Sequence, residues 1–293
     1  MFAWLTLRKP EGRGHTQQTL QALEVGVSDG KLAEALQAQG FSLEEVKAAG
    51  LYVESKNEPG QWRDFFMPGL CIFPHRLPAG EIAHFTLKDP RKKVNYQFKA
   101  EHRLDGFVFG NQKAIRADKI ILVEGENDLA SFFDAGERNV LASLGSLSDD
   151  QTRWLDVHSH GKTFYLWFDY DTQPGDKGQP PAGIRYTRKT YQRLLKNKSC
   201  QVLVVSGLMD PGEDPDDWIQ KDLESAPKRI AAALKKAHNP LLWELRVMPD
   251  DVRADADASL RYFEAIEFFD HLGLLPDLHR DAVIVEMQKL GFS

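Results

Sequence analysis

Cysteine is scarce in this chain, with Cys71 and Cys200 the two examples among 293 residues. No pair of cysteines has the spacing of structural zinc ligands, so we expect no zinc. Two distant cysteines give no disulfide framework, so the chain is expected to fold without disulfides, and they indicate a reducing compartment. No apolar run approaches the ~20 residues that span a bilayer, and Arg8-Lys9-Pro10 interrupts the first apolar residues too early for a signal peptide. We therefore expect a cytoplasmic protein without membrane contact.

Motifs of two common enzyme classes are missing. Gly161-Lys162-Thr163 looks like the end of a P-loop, but Asp156 stands where the first glycine is required, and the string precedes a strand instead of following one. No Gly-x-Ser-x-Gly string occurs either. The sequence therefore excludes a P-loop motor and gives no support for a serine hydrolase.

Acidic residues recur where apolar runs end. The runs 119–123, 163–168 and 201–205 predict buried strands, and the acids that follow them are Glu124, Asp128, Asp169, Asp171, Asp214 and Asp216. Each acid alone is more commonly a helix N-cap or a solvated carboxylate. Six of them after three runs favour a shared cation, because strand alternation puts Asp169 and Asp171 on one side of a strand end. Hard oxygen ligands suit Mg²⁺ or Mn²⁺.

Strands and helices alternate from residue 119 onward. The patterns predict strands at 119–123, 139–143, 163–168 and 201–205, and helices at 127–136, 149–157, 183–197 and 215–222. This succession predicts a mainly parallel sheet with helices on both faces. Short strands and two small helices precede it, and apolar stripes at helical spacing follow it. We expect three domains: α+β over 1–118, α/β over 119–225 and helical over 226–293.

Positive charge is concentrated before the predicted sheet, although the whole chain has a net charge of −6. Between residues 61 and 120 there are eleven Lys or Arg against six Asp or Glu, interleaved with Phe85, Tyr96 and Phe98. Such a surface can follow a phosphate backbone while aromatic rings stack on bases. The alternative for each lysine alone is a solvated sheet face. The pattern favours a nucleic-acid-binding domain.

The acid motifs resemble the TOPRIM domain of the bacterial DnaG-type primases. They are Val-Glu-Gly-x-x-Asp at 123–128, Asp-x-Asp at 169–171 and Gly-x-Asp-Pro-Asp-x-x-Ile at 212–219. Upstream strings, among them Trp62-Arg63-Asp64-Phe65-Phe66 and Lys92-Lys93-Val94-Asn95-Tyr96, resemble the basic half of that catalytic core. The resemblance covers about residues 25 to 222. The chain departs from the family in having no cysteines for a zinc ribbon and in carrying Tyr170 between the paired aspartates.

The resemblance implies roles for individual residues. Asp169, Asp171, Asp214 and Asp216 would ligate metal. Glu124 would share a metal or act as acid or base, and Asp128 would ligate or orient the site. The catalytic set is thus Glu124, Asp128, Asp169 and Asp171. Template or triphosphate would be held by Lys93 and Arg103, together with Arg63 and Lys92.

These features predict a primase core that synthesises RNA primers on single-stranded DNA by metal-dependent nucleotidyl transfer. Its partners would be single-stranded DNA and nucleoside triphosphates, with a replicative helicase as a further candidate. Two alternatives use the same fold: a TOPRIM nuclease, which also relies on in-line attack at phosphorus, and a non-catalytic DNA-binding accessory of replication or mobile elements. The basic upstream domain favours the primase.

Overall fold

The computed structural model describes residues 3–7, 12–76, 81–90, 94–98, 109–110, 112–175, 179–196, 200–205 and 209–292. By its internal contacts the chain divides into two compact units, residues 1–110 and 111–293. The expected three-domain division at 118 and 225 remains a prediction about which segments fold independently.

The first unit combines short helices with antiparallel strands. Its helices are α1 (Ala3–Thr6), α2 (Gln17–Ala22), α3 (Leu32–Ala38) and α4 (Leu43–Ala48). Its strands are β1 (Gly26–Val27), β2 (Tyr52–Glu54), β3 (Trp62–Asp64), β4 (Cys71–Arg76), β5 (Ile82–Asp89), β6 (Val94–Phe98) and β7 (Phe109–Gly110). One sheet has the order β1-β4-β5-β6, and β2 pairs with β3.

The string Trp62-Arg63-Asp64-Phe65-Phe66 from the upstream resemblance has structural roles in the first unit. The Asp64 carboxylate accepts hydrogen bonds from the backbone N–H groups of Leu32 and Ala33 at 2.8 and 2.9 Å, which satisfies donors at the start of α3. Phe66 is buried in a core cluster with Leu70 and Leu87. A capping box begins α4, with Ser42 and Glu45 bonding reciprocally.

The second unit begins with a 3₁₀ helix (Gln112–Arg116) and then alternates strands and helices. The strands are β8 (Lys119–Val123), β9 (Val140–Ala142), β10 (Thr163–Leu166) and β11 (Gln201–Val204). The helices between and after them are α5 (Glu126–Asp134), α6 (Asp149–His158), α7 (Ala182–Leu195) and α8 (Pro215–Gln220). The carboxy-terminal helices are α9 (Ala226–Lys235), α10 (Pro240–Val247), α11 (Asp250–Arg253), α12 (Ala256–Ala265), α13 (Phe268–Leu274) and α14 (Asp277–Lys289).

The strands of this second unit form a parallel sheet in the order β11-β10-β8-β9. The chain moves outward from β8 to β9, returns past β8 to β10, and continues to β11. Right-handed crossovers therefore place α5 on one face and α6 and α7 on the other. The contacts agree, since α5 packs with α8, and α6 packs with α7. The direction of travel reverses between β8 and β10, and such switch points open a crevice at the carboxyl ends of the strands.

The sequence correctly predicted the type and order of these elements, and the fold is the expected α/β sheet with an α+β region before it and helices after it. The carboxy-terminal helices belong to the second unit. Phe263 and Ile266 are buried there, whereas Phe269 is half exposed. Among the described helices, none is long and apolar enough to cross a membrane.

Candidate metal centre

The turn from β8 into α5 delivers two of the predicted site residues. β8 is buried from Ile120 to Val123, and Glu124 follows directly. The Asp128 carboxylate lies in the first turn of α5 and accepts a hydrogen bond from the Gly125 N–H at 2.8 Å. This contact folds Asp128 back over the turn, and only 7% of the residue is exposed. The helix start therefore holds Asp128 next to Glu124.

The strand before Asp169 and Asp171 ends earlier than predicted. β10 ends at Leu166, not at residue 168, so strand alternation does not reach the two aspartates. The start of α7 holds them instead. The Gly183 N–H donates to Asp171 Oδ2 at 3.1 Å, and a Cβ at Gly183 would lie only 2.0 Å from the carbonyl oxygen of Asp169. Only glycine allows this close approach of helix and loop.

Backbone hydrogen bonds join the Asp-Tyr-Asp loop to the acidic loop before α8. The Tyr170 N–H donates to the Glu213 carbonyl at 3.0 Å, and the Gly212 N–H donates to the Tyr170 carbonyl at 2.7 Å. Gly212 has a φ of +87°, which disfavours other residues. Tyr170, which the family resemblance made unexpected, therefore contributes its main chain to the link between Asp169 and Asp214.

Asp214 and Asp216 occupy different environments in α8. Asp214 is the N-cap and accepts a hydrogen bond from the Asp217 N–H. Asp216 is fully buried and accepts a hydrogen bond from the Ser131 hydroxyl of α5 at 2.6 Å. The helix-cap alternative for Asp214 is therefore correct in this structure. A cap can still offer its second oxygen to a cation, whereas Asp216 mainly ties α8 to α5.

The carboxylates of the centre raise one another's pKa. Burial, followed by the charges of Asp169, Asp214 and Asp216, raises the pKa of Asp128 well above its ordinary value. Burial, followed by the charges of Glu124, Asp214, Asp171 and Asp217, raises the pKa of Asp169 to about 8. Crowded acids repel one another, and in low dielectric each favours the protonated form of its neighbours.

The donor set fits a hard divalent cation. Oδ1 of Asp169 is buried and has no hydrogen-bond partner among the described residues, so it is an oxygen available for a ligand. In the described part of the chain, no three acidic, histidine or cysteine side chains already converge as a metal cage. Mg²⁺ commonly binds through one or two carboxylates and keeps several waters. The arrangement therefore suits an ion completed by water and substrate oxygens.

Residues that sequence reasoning did not include also shape the centre. Asp217 adds to the negative field at Asp169, Ser131 holds Asp216, and Gly183 contacts the Asp169 backbone. Asp217 belongs to the acidic string at 213–217, but its spacing from the other acids did not single it out as a site residue. Ser131 and Gly183 lie far along the chain from the acids they contact, so only the fold identifies them.

Of the predicted nucleic-acid-binding residues, the structure describes Arg63 alone. Arg63 is exposed on β3, and its guanidinium donates to the Asp64 carbonyl at 3.3 Å. Lys92, Lys93 and Arg103 lie outside the described residues.

Comparisons with known proteins agree with this architecture. Residues 118–206 match the Toprim domain family. A DNA primase of Halalkalibacterium halodurans is 28% identical over 223 residues, covering 72% of this chain and 35% of that protein. A Staphylococcus aureus DNA primase is 30% identical over 200 residues, covering 64% and 30% respectively. The chain thus spans about a third of the length of the curated relatives it matches.

Solved structures show the same fold. The RNA polymerase domain of Mycobacterium tuberculosis primase DnaG superposes with a TM-score of 0.68 at 19% identity, covering 94% of this chain and 88% of that one. A DnaG primase catalytic domain bound to single-stranded DNA gives a TM-score of 0.64 at 20% identity, covering 96% and 88%. By sequence and fold, the chain is therefore a relative of the DNA primases, with a Toprim domain over residues 118–206 and the fold of the DnaG catalytic core.

Proposed function

We propose that this chain is a primase core that joins ribonucleotides on a single-stranded DNA template. The observation that carries the proposal is the partly buried carboxylate cluster at the switch point between β8 and β10, in a chain homologous to DNA primases. Nucleoside triphosphates and single-stranded DNA are the proposed substrates. A replicative helicase is the proposed partner, and the cytoplasm the proposed location.

The proposed metal is Mg²⁺ or Mn²⁺, and its candidate ligands are Asp169, Asp171, Asp214, Glu124 and Asp216, which would bind it directly or through retained waters. When bound, such a cation supplies charge neutralisation at the triphosphate and activation of the attacking hydroxyl. Asp169 offers its buried Oδ1, while the Gly183 N–H keeps Asp171 turned toward the start of α7. Asp128, bonded to the Gly125 N–H, orients the Glu124 turn.

Substrate binding is assigned to residues of the first unit. Arg63 is an exposed cation on a two-stranded hairpin, and Lys92, Lys93 and Arg103 belong to the basic stretch of the sequence. Cations of this kind bind phosphates through charge and counterion release. We assign these four residues to holding template or triphosphate.

Incubation of the purified chain with single-stranded DNA, labelled ribonucleoside triphosphates and Mn²⁺ tests the proposal. We expect labelled RNA that is longer than a dinucleotide, that requires the template, and that disappears with EDTA. Asp169→Asn should abolish it, whereas Asp281→Asn, an exposed change on α14, should not. Cleavage of the DNA instead would favour the nuclease alternative. Binding without either reaction would favour the accessory alternative, and both outcomes contradict the proposal.

A further inference from the structure

A buried ionic cluster connects α7 to the carboxy-terminal helices. Glu244 of α10 is completely buried. Arg188 of α7 donates to both of its oxygens, from Nε to Oε1 and from Nη2 to Oε2, each at 2.7 Å. Tyr191 of α7 donates to Oε1 at 2.7 Å, and Tyr262 of α12 donates to Oε2 at 2.8 Å. Each carboxylate oxygen therefore receives two hydrogen bonds.

The side chains that bond Glu244 also bond one another, which restricts the movement of α7. Arg188 Nη2 also contacts the Tyr262 hydroxyl at 2.7 Å. Burial, followed by the charge of Glu244, raises the pKa of both tyrosines above the ordinary value, so both hydroxyls stay protonated and can donate. Gln192, one turn after Arg188, donates to the Ile266 carbonyl at 2.9 Å. These contacts fix α7 along its axis and in rotation.

A buried ionic cluster of this kind contributes little to fold stability by itself. A buried ion pair loses its hydration, and apolar residues of similar size often stabilise a contact as well or better. A bidentate Arg–carboxylate pair adds geometric precision, because both groups are planar and directional. The cluster is therefore suited to setting a position.

The amino-terminal end of α7 contacts the two aspartates on which the proposed metal site depends. Gly183, five residues before Arg188, bonds Asp171 and lies against the Asp169 carbonyl with no space for even a Cβ. Five helical residues span about 7.5 Å, and an intact helix transmits axial and rotational shifts over that distance. A small displacement of α7 would therefore move both aspartates.

We propose that Arg188, Glu244 and Tyr262 form a clamp through which the carboxy-terminal helices position α7 and thereby set the geometry of Asp169 and Asp171. These are positioning residues, because they act on the centre through α7 and Gly183. The inference rests on the proposed function, since it assigns the clamp a purpose in metal binding. It also gives residues 240–266, in the region for which the sequence predicted only a helical domain, a role in positioning the proposed metal site.

Mn²⁺ binding to the whole chain, measured by electron paramagnetic resonance without nucleotide or DNA, tests the clamp. Tyr262→Phe removes one hydroxyl and keeps the ring, and Glu244→Gln removes the central charge. The matched control is Ser259→Ala on the same helix α12, which breaks a buried hydrogen bond to the Val252 carbonyl instead. Thermal melting of all variants measures how much fold stability each change costs.

We expect Tyr262→Phe to weaken Mn²⁺ binding roughly three- to tenfold, somewhat less than changes that touch ligands directly. Ser259→Ala should leave the affinity within about twofold at a comparable loss of melting temperature, because buried hydrogen-bond losses are of similar size. In the primer assay, saturating Mn²⁺ should restore the kcat of Tyr262→Phe. If Glu244→Gln does not fold, the Mn²⁺ affinity of Tyr262→Phe by itself tests the clamp.

Unchanged Mn²⁺ affinity in folded Tyr262→Phe, or equal weakening in Ser259→Ala, would overturn the clamp and leave the proposed function standing. Absence of Mn²⁺ binding by the unchanged protein would overturn the proposed function and the clamp together.

Discussion

Asp169 combines burial with an unusually dense set of acidic neighbours. Its carboxylate is held where Glu124, Asp214, Asp171 and Asp217 all oppose its ionisation. A globular protein rarely keeps such a cluster for stability, because each charge disfavours the folded state until a cation neutralises it. Reduced stability of the metal-free protein at high pH is therefore an expected consequence of the proposed metal site.

The first prediction concerns the pH dependence of the metal-free protein. The pKa of Asp169 rises from 3.8 to about 8 on folding, so the folded state binds more protons than the unfolded state between these values. The stabilising contribution is complete below about pH 4 and is lost as the pH rises toward about 8. We expect the melting temperature in EDTA to fall across this window.

Asp169→Asn is the matched variant for this measurement, since it removes the titrating group and one repulsive charge. Its melting temperature in EDTA should equal or exceed that of the unchanged protein near about pH 8, with a flatter pH profile. Excess Mg²⁺ should stabilise the unchanged protein more at high pH than at low pH. Parallel pH profiles for the two proteins would contradict the assignment of the shift to Asp169.

The start of α7 is the element whose placement is most constrained by the site. Most helices tolerate alanine in the first turn, but here a Cβ at Gly183 would meet the Asp169 carbonyl oxygen at 2.0 Å. The backbone of the Asp-Tyr-Asp loop has to move if this space is filled. The element therefore couples helix packing to the position of the acids.

The second prediction compares two glycine substitutions in helices. Gly183→Ala should destabilise the protein by about 1–3 kcal/mol through overpacking and should weaken Mn²⁺ binding. Gly273→Ala in α13 meets nothing within 4 Å, so it should stabilise by up to about 1 kcal/mol through helix propensity. Chemical denaturation and Mn²⁺ titration of both variants measure the difference. Normal metal affinity in Gly183→Ala would show that the loop adapts.

The carboxy-terminal helices pack an aromatic cluster of their own. The Phe263 ring lies 4.6 Å from Phe268 and 5.8 Å from Phe269, measured between centroids. Phe263 is 3% exposed and Phe269 49% exposed. Phe263 therefore packs within the chain, whereas about half of Phe269 remains exposed.

The third prediction uses this difference in burial. Phe263→Ala should cost about 3–5 kcal/mol of unfolding free energy, as for a fully buried ring. Phe269→Ala should cost about 1 kcal/mol, because half of its apolar surface is already in water. Urea denaturation provides both values. Equal losses would mean that Phe269 is covered in solution, for example by a second protein.

At the scale of the whole molecule, charge is divided unequally along the chain. The net charge of −6 conceals the positive excess between residues 61 and 120, while the second unit carries the acidic cluster. An acidic centre and a basic region together can bind a polyanion and the cation that neutralises it. This distribution supports nucleic acid as the substrate more than the total charge does.

The fourth prediction tests the basic region. Changing Lys92 and Lys93 together to Ala should weaken single-stranded DNA binding and reduce its salt dependence by about 1.4 in log K against log salt, if both residues contact phosphates. Fluorescence anisotropy at several salt concentrations measures the slope. Mn²⁺ affinity is the control and should not change. An unchanged slope would indicate that both lysines are solvated surface residues that do not contact DNA.

The sequence by itself determined the elements and their order, because apolar periodicity and turn residues are local signals. β8 was predicted with the bounds it has, Lys119–Val123, and the other strands of the second unit within about two residues. It also predicted that the acids gather, since parallel strands bring their carboxyl ends to one edge. Burial and the charges of neighbouring acids raise the pKa of Asp128 and of Asp169 in the structure, and the roles of these acids as ligands stay a prediction.

Only the tertiary structure decided how those acids are held. Asp171 bonds the Gly183 N–H across twelve residues, Asp216 bonds Ser131 across 85, and Arg188 meets Glu244 across 56. Contacts of this separation depend on which helix faces pack together, and no local pattern specifies that choice. The same limit applies to Asp169 and Asp171: β10 ends at Leu166, two residues before the predicted end, and the Gly183 N–H at the start of α7 donates to Asp171.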